Sequence, residues 1–459
     1  MKFRQEILFG LAVVALVFGT MPGPAEAHFS QQAKLVGTGA IIGTFSAEQG
    51  YSVSLSADGN TAIVGGNRDN NSIGAAWVYT RSGVVWSQQG PKLVGTDAVG
   101  PAQQGVSVSL SGDGNTAIVG GPGDNDFAGA AWVYSLSGGV WSQQAKLVGT
   151  GAVGPSPAIQ GASVSLSGDG NTAIVGGYQD DNSGAAWVYT RSGGVWSQQA
   201  KLVGTRGAGR AEGQGWSVSL SGDGNTAIVG GPGDNNDVGA AWVYTRSHGV
   251  WSQQAKLIGT GAIGPAGQGY SVSLSADGNN AIVGGVDDDS QAGAAWVYTR
   301  SGGAWSQQAK LIGTGAVAPA YQGHSVSLSG DGNTAIVGGP GDNNFVGAAW
   351  LYTRLGGVWS QQAKLVGTGA ISPAEQGYSV SLSADGSTAI VGGPADENFG
   401  AAWVFAQPVF AGTPGKANCH GQSVSALARQ YGGLNSAAAA LGYADVSALQ
   451  NAIMAFCGG

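Results

Sequence analysis

Charge is scarce in this chain: 19 Lys and Arg and 27 Asp and Glu among 459 residues give a net charge of −8, with no basic run. A surface that tracks phosphates needs clustered Lys and Arg, so nucleic acid is excluded as an expected partner. Cysteine is almost absent. Cys419 and Cys457 have no CxxC spacing and only His420 beside them, which excludes the common zinc sites and leaves a disulfide between the two as the expected state. His28, His248, His324 and His420 fall at unrelated places. No Ser/His/Asp or Cys/His arrangement can be assembled from them, so no catalytic residue, metal site or cofactor is read from spacing. Beyond the first 27 residues no apolar run is long enough to cross a bilayer.

What the sequence does contain is glycine, at 84 residues, together with 14 tryptophans. Aromatic and aliphatic content of this kind argues for a folded, turn-rich protein rather than a disordered one. Lys2 and Arg4 precede an apolar stretch around Leu8 to Phe18, and Ala25-Glu26-Ala27 follows. That order is expected of an export signal over residues 1–27. A retained membrane anchor is the alternative, disfavoured by the shortness of the apolar run. The mature chain would begin near His28 and be secreted, periplasmic or cell-surface, where disulfides persist.

A unit of about 54 residues recurs. SVSLS starts at Ser52, Ser107, Ser163, Ser217, Ser271, Ser325 and Ser379, and each copy runs through AIVGG to AAWVY or a close variant. One unit reads as four strands, in the third copy Ser163 to Ser167, Thr172 to Gly176, Ala185 to Thr190 and Trp196 to Leu202. Asp169-Gly170 and Ser192-Gly193-Gly194 are hairpin turns, because glycine accepts the positive φ such turns require. Seven antiparallel four-stranded units predict an all-β, seven-bladed β-propeller over residues 28–407. The last unit lacks WSQQAKL after Trp403-Val404-Phe405, whereas Phe29 to Leu35 reads FSQQAKL. The N-terminal strand is therefore expected to complete the last blade and close the ring, removing its free edges.

These residues resemble the FG-GAP repeats of integrin α-subunit propellers and their bacterial relatives. The likeness rests on Gly50-Tyr51-Ser52-Val53, the Asp58-Gly59 turn, Ile63-Val64-Gly65-Gly66 and Gly74-Ala75-Ala76-Trp77-Val78-Tyr79. Kelch propellers are a weaker likeness, through the Gly-Gly doublet, Tyr79 and Trp86. The resemblance implies a calcium loop between the first two strands. Here that loop is a tight hairpin, and Ser54, Ser56 and Ala62 stand where oxygen-rich ligands would be needed. One carboxylate cannot supply the six to eight oxygens calcium prefers, so calcium is not carried over.

Loops joining strands two to three and strand four to the next strand one emerge on one face. The first loop holds an aspartate in every unit: Asp69, Asp124, Asp180, Asp234, Asp288, Asp342 and Asp396. Each either bonds its own turn or joins an acidic ring open to a cation or a basic ligand. The second loop ends after a Gln-Gly pair at positions that differ between copies: Tyr51, Val106, Ala162, Trp216, Tyr270, His324 and Tyr378. This variable ring, near the mouth of the central channel, is the expected source of specificity, with rim packing as the alternative. The paired tryptophans, such as Trp77 and Trp86, recur with the unit and read as blade packing.

After a linker at 408–415 the composition shifts to alanine and leucine. Val424, Leu427, Ala428 and Tyr431 share a helical face, as do Val446, Leu449, Ile453 and Phe456, with a further helix around Ser436 to Leu441. Residues 416–459 are expected to form a small three-helix module stapled by Cys419–Cys457. The expected function is non-catalytic binding of a protein or glycan. An enzyme acting on extracellular polysaccharide and a structural envelope protein are the alternatives.

Overall fold

Alternating Ser with Val and Leu, followed by the all-apolar AIVGG, makes short extended segments that can be buried between neighbouring sheets. The computed structural model describes residues 29–44, 46–154, 156–205, 213–317, 319–371, 373–397, 399–407, 410, 415–441 and 443–458. The expected export signal and most of the 408–415 linker lie outside these residues. Seven four-stranded antiparallel sheets form the blades of a propeller. In the third blade the strands are Ser163–Leu166, Thr172–Gly177, Ala185–Ser192 and Val195–Leu202, within two residues of the expected ends.

The last blade is closed from the other end of the chain. Ser30–Leu35 lies antiparallel to Ala401–Ala406, with Ser30 opposite Ala406, Lys34 opposite Trp403 and Leu35 opposite Ala402. The repeat in sequence and the blade in space are thus out of phase by one strand, which is what lets the first segment bond to the last. The first blade shows the opposite effect of one local change. Its outer segment reads WSQQGPKL, one residue longer than WSQQAKL, and the regular strand ends at Gln88; Gln89 N still donates to Val78 O, Pro91 has no N–H to give, and Leu93 pairs again with Ala76.

The core sits between blades. Trp132 and Tyr134 of the second blade pack with Ile63, Ala76 and Val78 of the first, and Trp77 and Tyr79 pack with Ile390, Ala402 and Val404 across the closure. The seven AAWVY-type tryptophans are fully buried, so the packing role expected for Trp77 is the one observed. Each indole N–H donates to a loop carbonyl, as Trp77 does to Thr38 at 2.9 Å.

The serines of SVSL bind neighbouring inner strands together. Leu110 N donates to Ser54 Oγ at 3.1 Å, and the same bond recurs round the ring to Leu55 N and Ser381 Oγ. A backbone bond also runs from each hairpin to the next, from Ala57 N to Gly112 O, onward through Gly168, Gly222, Ala276, Gly330 and Ala384, and back to Ala57. That cycle explains why small residues occupy the position after each SVSLS serine. The hairpin carboxylate is fully used as well: Asp58 accepts from Ser56 Oγ at 2.6 Å and from Asn60 N and Nδ2, both at 2.9 Å.

Helices Cys419–Tyr431, Leu434–Ala440 and Val446–Gly458 follow. Leu427, Ala437, Leu441, Leu449 and Ile453 form their core, and a Cys419–Cys457 disulfide joins the first helix to the last. Gly432, at φ 71°, ends the first helix in the left-handed conformation glycine favours.

Candidate functional site

The Gln-Gly pair fixes how the chain enters each inner strand. Gln49 is buried, its side-chain oxygen accepting from Gly37 N and its amide donating to Gly37 O. Gly50 follows at φ 89°, where an added Cβ would lie 2.1 Å from Ala401 O. Only glycine permits that approach, and the next residue is left at the channel mouth. The six other copies repeat the arrangement, so all seven variable positions, Tyr51, Val106, Ala162, Trp216, Tyr270, His324 and Tyr378, line one cavity of about 330 Å³.

Five of these side chains form a contiguous aromatic arc. Ring centroids are 4.8 Å apart for Tyr51 and Tyr378, 4.4 Å for Tyr378 and His324, 5.0 Å for His324 and Tyr270, and 5.5 Å for Tyr270 and Trp216. Tyr178 extends the arc at 4.8 Å from Trp216. Val106 and Ala162 leave the opposite wall open, and Pro122, Phe127 and Ile159 fill it. The mouth is therefore asymmetric, with the contiguous aromatic arc on one side and smaller, mostly aliphatic residues with Phe127 on the other.

Hydrogen bonds set the protonation of the arc. His324 Nδ1 lies 2.9 Å from Tyr378 O, which has no proton to give, so Nδ1 carries the hydrogen. Nε2, 3.3 Å from Tyr270 Oη, then accepts. Burial among these rings pulls the imidazole down to about 4, against the smaller upward pull of the Tyr378 carbonyl. Burial likewise pushes the Tyr270 hydroxyl up to about 12, and raises that of Tyr378 further with help from the neighbouring Tyr51. At neutral pH the arc carries no charge.

The aspartates behave otherwise than an open acidic ring requires. Asp69, Asp124, Asp180, Asp234, Asp288, Asp342 and Asp396 are all at most 2% exposed. Each faces the lysine of the outer strand of its own blade: Lys146–Asp124, Lys201–Asp180, Lys256–Asp234, Lys310–Asp288, Lys364–Asp342 and Lys34–Asp396 lie 2.5–2.8 Å apart, and Lys92 pairs with Asp69. A loop N–H also donates to the carboxylate, as Val99 N does to Asp124 at 2.8 Å. The carboxylates thus tie strand to loop within each blade, and they do not converge. Among the described residues no group of three His, Cys, Asp or Glu is placed to hold a metal. The signal for this pairing was present in the sequence, since the lysine of QQAKL recurs as often as the aspartate.

Two further variable rings flank the mouth, and neither was singled out from sequence. One follows the Gly-Gly doublet and contributes Asn67, Pro122 and Tyr178; the other precedes the Gln-Gly pair and contributes Glu48, Gln103, Ile159 and Glu375. Glu48, Gln103, Ile159, Tyr321 and Glu375 hold φ between 54° and 57°, while two other copies place Gly213 and Gly267 there. Non-glycine residues in this region are strained, and such strain gathers at binding sites. A second hollow of about 560 Å³ adjoins the first, lined by Glu48, Arg68, Glu375, Glu397, Asn67 and Tyr378 among others. Arg68 Nη1 lies 3.0 Å from Glu48 Oε1.

Comparison with known families agrees with this architecture. The FG-GAP repeat model matches residues 196–244 and 305–352. Each match runs from the outer strand of one blade to the third strand of the next, the same phase as the ring closure. No curated protein matches the chain.

Proposed function

Starting from a seven-bladed propeller that carries FG-GAP repeats, we propose that the protein is an exported, non-catalytic recognition scaffold that binds a protein or glycan ligand at the channel mouth. One observation carries this reading. The positions where the copies agree are spent on the scaffold, while the seven variable residues that follow the Gln-Gly pairs line a single cavity. A cavity with aromatic walls and a few convergent polar groups is the usual form of a ligand site. Binding rather than turnover is favoured because the central titratable group, His324, has both ring nitrogens engaged and stays neutral. Export is supported by the N-terminal residues and by the Cys419–Cys457 disulfide. No helix among the described residues is long and apolar enough to cross a membrane.

A glycan and protein binding screen of the mature chain, repeated with Trp216→Ala and His324→Ala, tests the proposal. Binding lost in either variant supports it. Binding indifferent to both overturns it, and turnover of a polysaccharide would move the reading to an enzyme.

A further inference from the structure

The aromatic arc follows the symmetry of the blades. Neighbouring rings from Trp216 through Tyr270, His324 and Tyr378 to Tyr51 are tilted by 48–50°, close to the step of about 51° between blades of a sevenfold ring. Val106 and Ala162 therefore stand at the two places where further rings would complete the circle, and the gap in the arc opens between Tyr51 and Trp216. Trp216 is the most exposed ring of the arc, at 36%, and Tyr178 stands beside it. Two polar groups line the same cavity without a hydrogen-bond partner. The Gln103 amide and the Tyr178 hydroxyl bond to no described residue, and unlike the sealed polar atoms of the core both reach solvent. Among the described residues no Lys, Arg, Asp or Glu lines this cavity.

One ligand chemistry answers these features together. An apolar side chain would cover the rings but shut the amide and the hydroxyl away from water unpaired, which is costly. An anion finds no cation in the wall. A pyranose carries both halves of the match, C–H bonds along its ring faces for an aromatic surface and hydroxyls that donate and accept, as the amide and the phenol do. At about 330 Å³ the cavity lies at the small end of ligand sites, which suits a single terminal unit rather than an extended chain. We propose that the gap seats a neutral pyranose, its ring against Trp216 and its hydroxyls on the Gln103 amide and the Tyr178 hydroxyl. The inference rests on the mouth being the recognition site and names what it recognises, either a free sugar or the end of a glycan.

Calorimetric titration of the mature chain with the methyl pyranosides of glucose, galactose, mannose, N-acetylglucosamine, fucose and rhamnose tests it, with cyclohexylmethanol as the apolar control. At least one glycoside saturates, with a Kd of about 1 mM or below, and cyclohexylmethanol binds about tenfold more weakly or not at all. Ala162→Trp returns a ring to the gap and abolishes binding. Tyr178→Phe keeps the ring, removes the hydroxyl and weakens binding about tenfold. Gln103→Gly does the same to the amide. Gln103 holds φ 56°, where two other copies carry Gly213 and Gly267, so the backbone accepts this change. A disaccharide ending in the same residue that binds more tightly assigns a glycan end, and equal affinity assigns the free sugar; either supports the seat.

The inference is overturned if no glycoside saturates, if cyclohexylmethanol binds as tightly as the glycoside, or if Tyr178→Phe and Gln103→Gly both leave binding unchanged. Its failure is separable from that of the recognition reading. A protein that needs Trp216 and is not displaced by any glycoside removes the sugar and keeps the site. A ligand indifferent to Trp216→Ala removes the site itself.

Discussion

Lys34 Nζ lies 2.6 Å from Asp396 Oδ2 and 5.4 Å from the centre of the Trp403 ring. The strand that opens the ring is therefore held to the last blade by an ion pair and a cation–π contact as well as by its backbone ladder. The same Asp–Lys–Trp grouping recurs in the other blades, as with Asp124, Lys146 and Trp132, so closure uses an ordinary blade contact made between distant parts of the chain.

Removing residues 29–35 leaves Ala401–Ala406 as an unpaired edge strand. The truncated protein is expected to self-associate through that edge. Size-exclusion chromatography with light scattering checks this, and a free peptide spanning residues 29–35 should restore the monomeric profile.

Within a blade, Lys146→Met leaves Asp124 buried without its cation. Breaking a buried pair by removing one partner costs about 3 kcal/mol. The double variant Lys146→Met/Asp124→Asn is expected to recover part of that loss, as measured by urea unfolding.

Tyr134 Oη is buried and has no hydrogen-bond partner among the described residues, and the last blade places Phe405 at the corresponding position. The hydroxyl contributes desolvation cost without a bond. Tyr134→Phe is expected to be neutral or stabilising by up to about 1 kcal/mol, a sign that thermal unfolding can read.

His324 titrates in the fold near 4 rather than at its ordinary 6.5. Between those values the unfolded chain binds the extra proton and the native state does not. The stability from the neutral imidazole is thus fully present above 6.5 and is lost as pH falls towards 4. NMR of the imidazole should show a midpoint near 4, and His324→Phe should flatten stability across that window.

Much of this was legible in the sequence because repetition exposes the scaffold. SVSLS, AIVGG and AAWVY gave strands, hairpins and blade number, and the orphan Phe29–Leu35 segment gave the closure. The variable ring from Tyr51 to Tyr378 was visible as disagreement between copies. What the sequence concealed was pairing across space. The recurring aspartates looked like an acidic face although the lysines recur as often: six of these sit 21–23 residues further on and the seventh, Lys34, lies at the other end of the chain from Asp396, and only the structure supplies the register that pairs them. The column after the Gly-Gly doublet was passed over for a related reason: it reads Asn67, Pro122, Tyr178, Pro232, Val286, Pro340 and Pro394, and nothing local shows that three of these reach the channel mouth.

The central claim is that recognition occurs at the channel mouth. It is tested most directly by following the ¹⁵N indole resonances of Trp216, at the mouth, and Trp251, on the outer strand of the same blade, while a ligand from the binding screen is added. The account predicts a saturable shift of Trp216 with Trp251 unmoved. A shift of Trp251, with Trp216 unmoved, would contradict it.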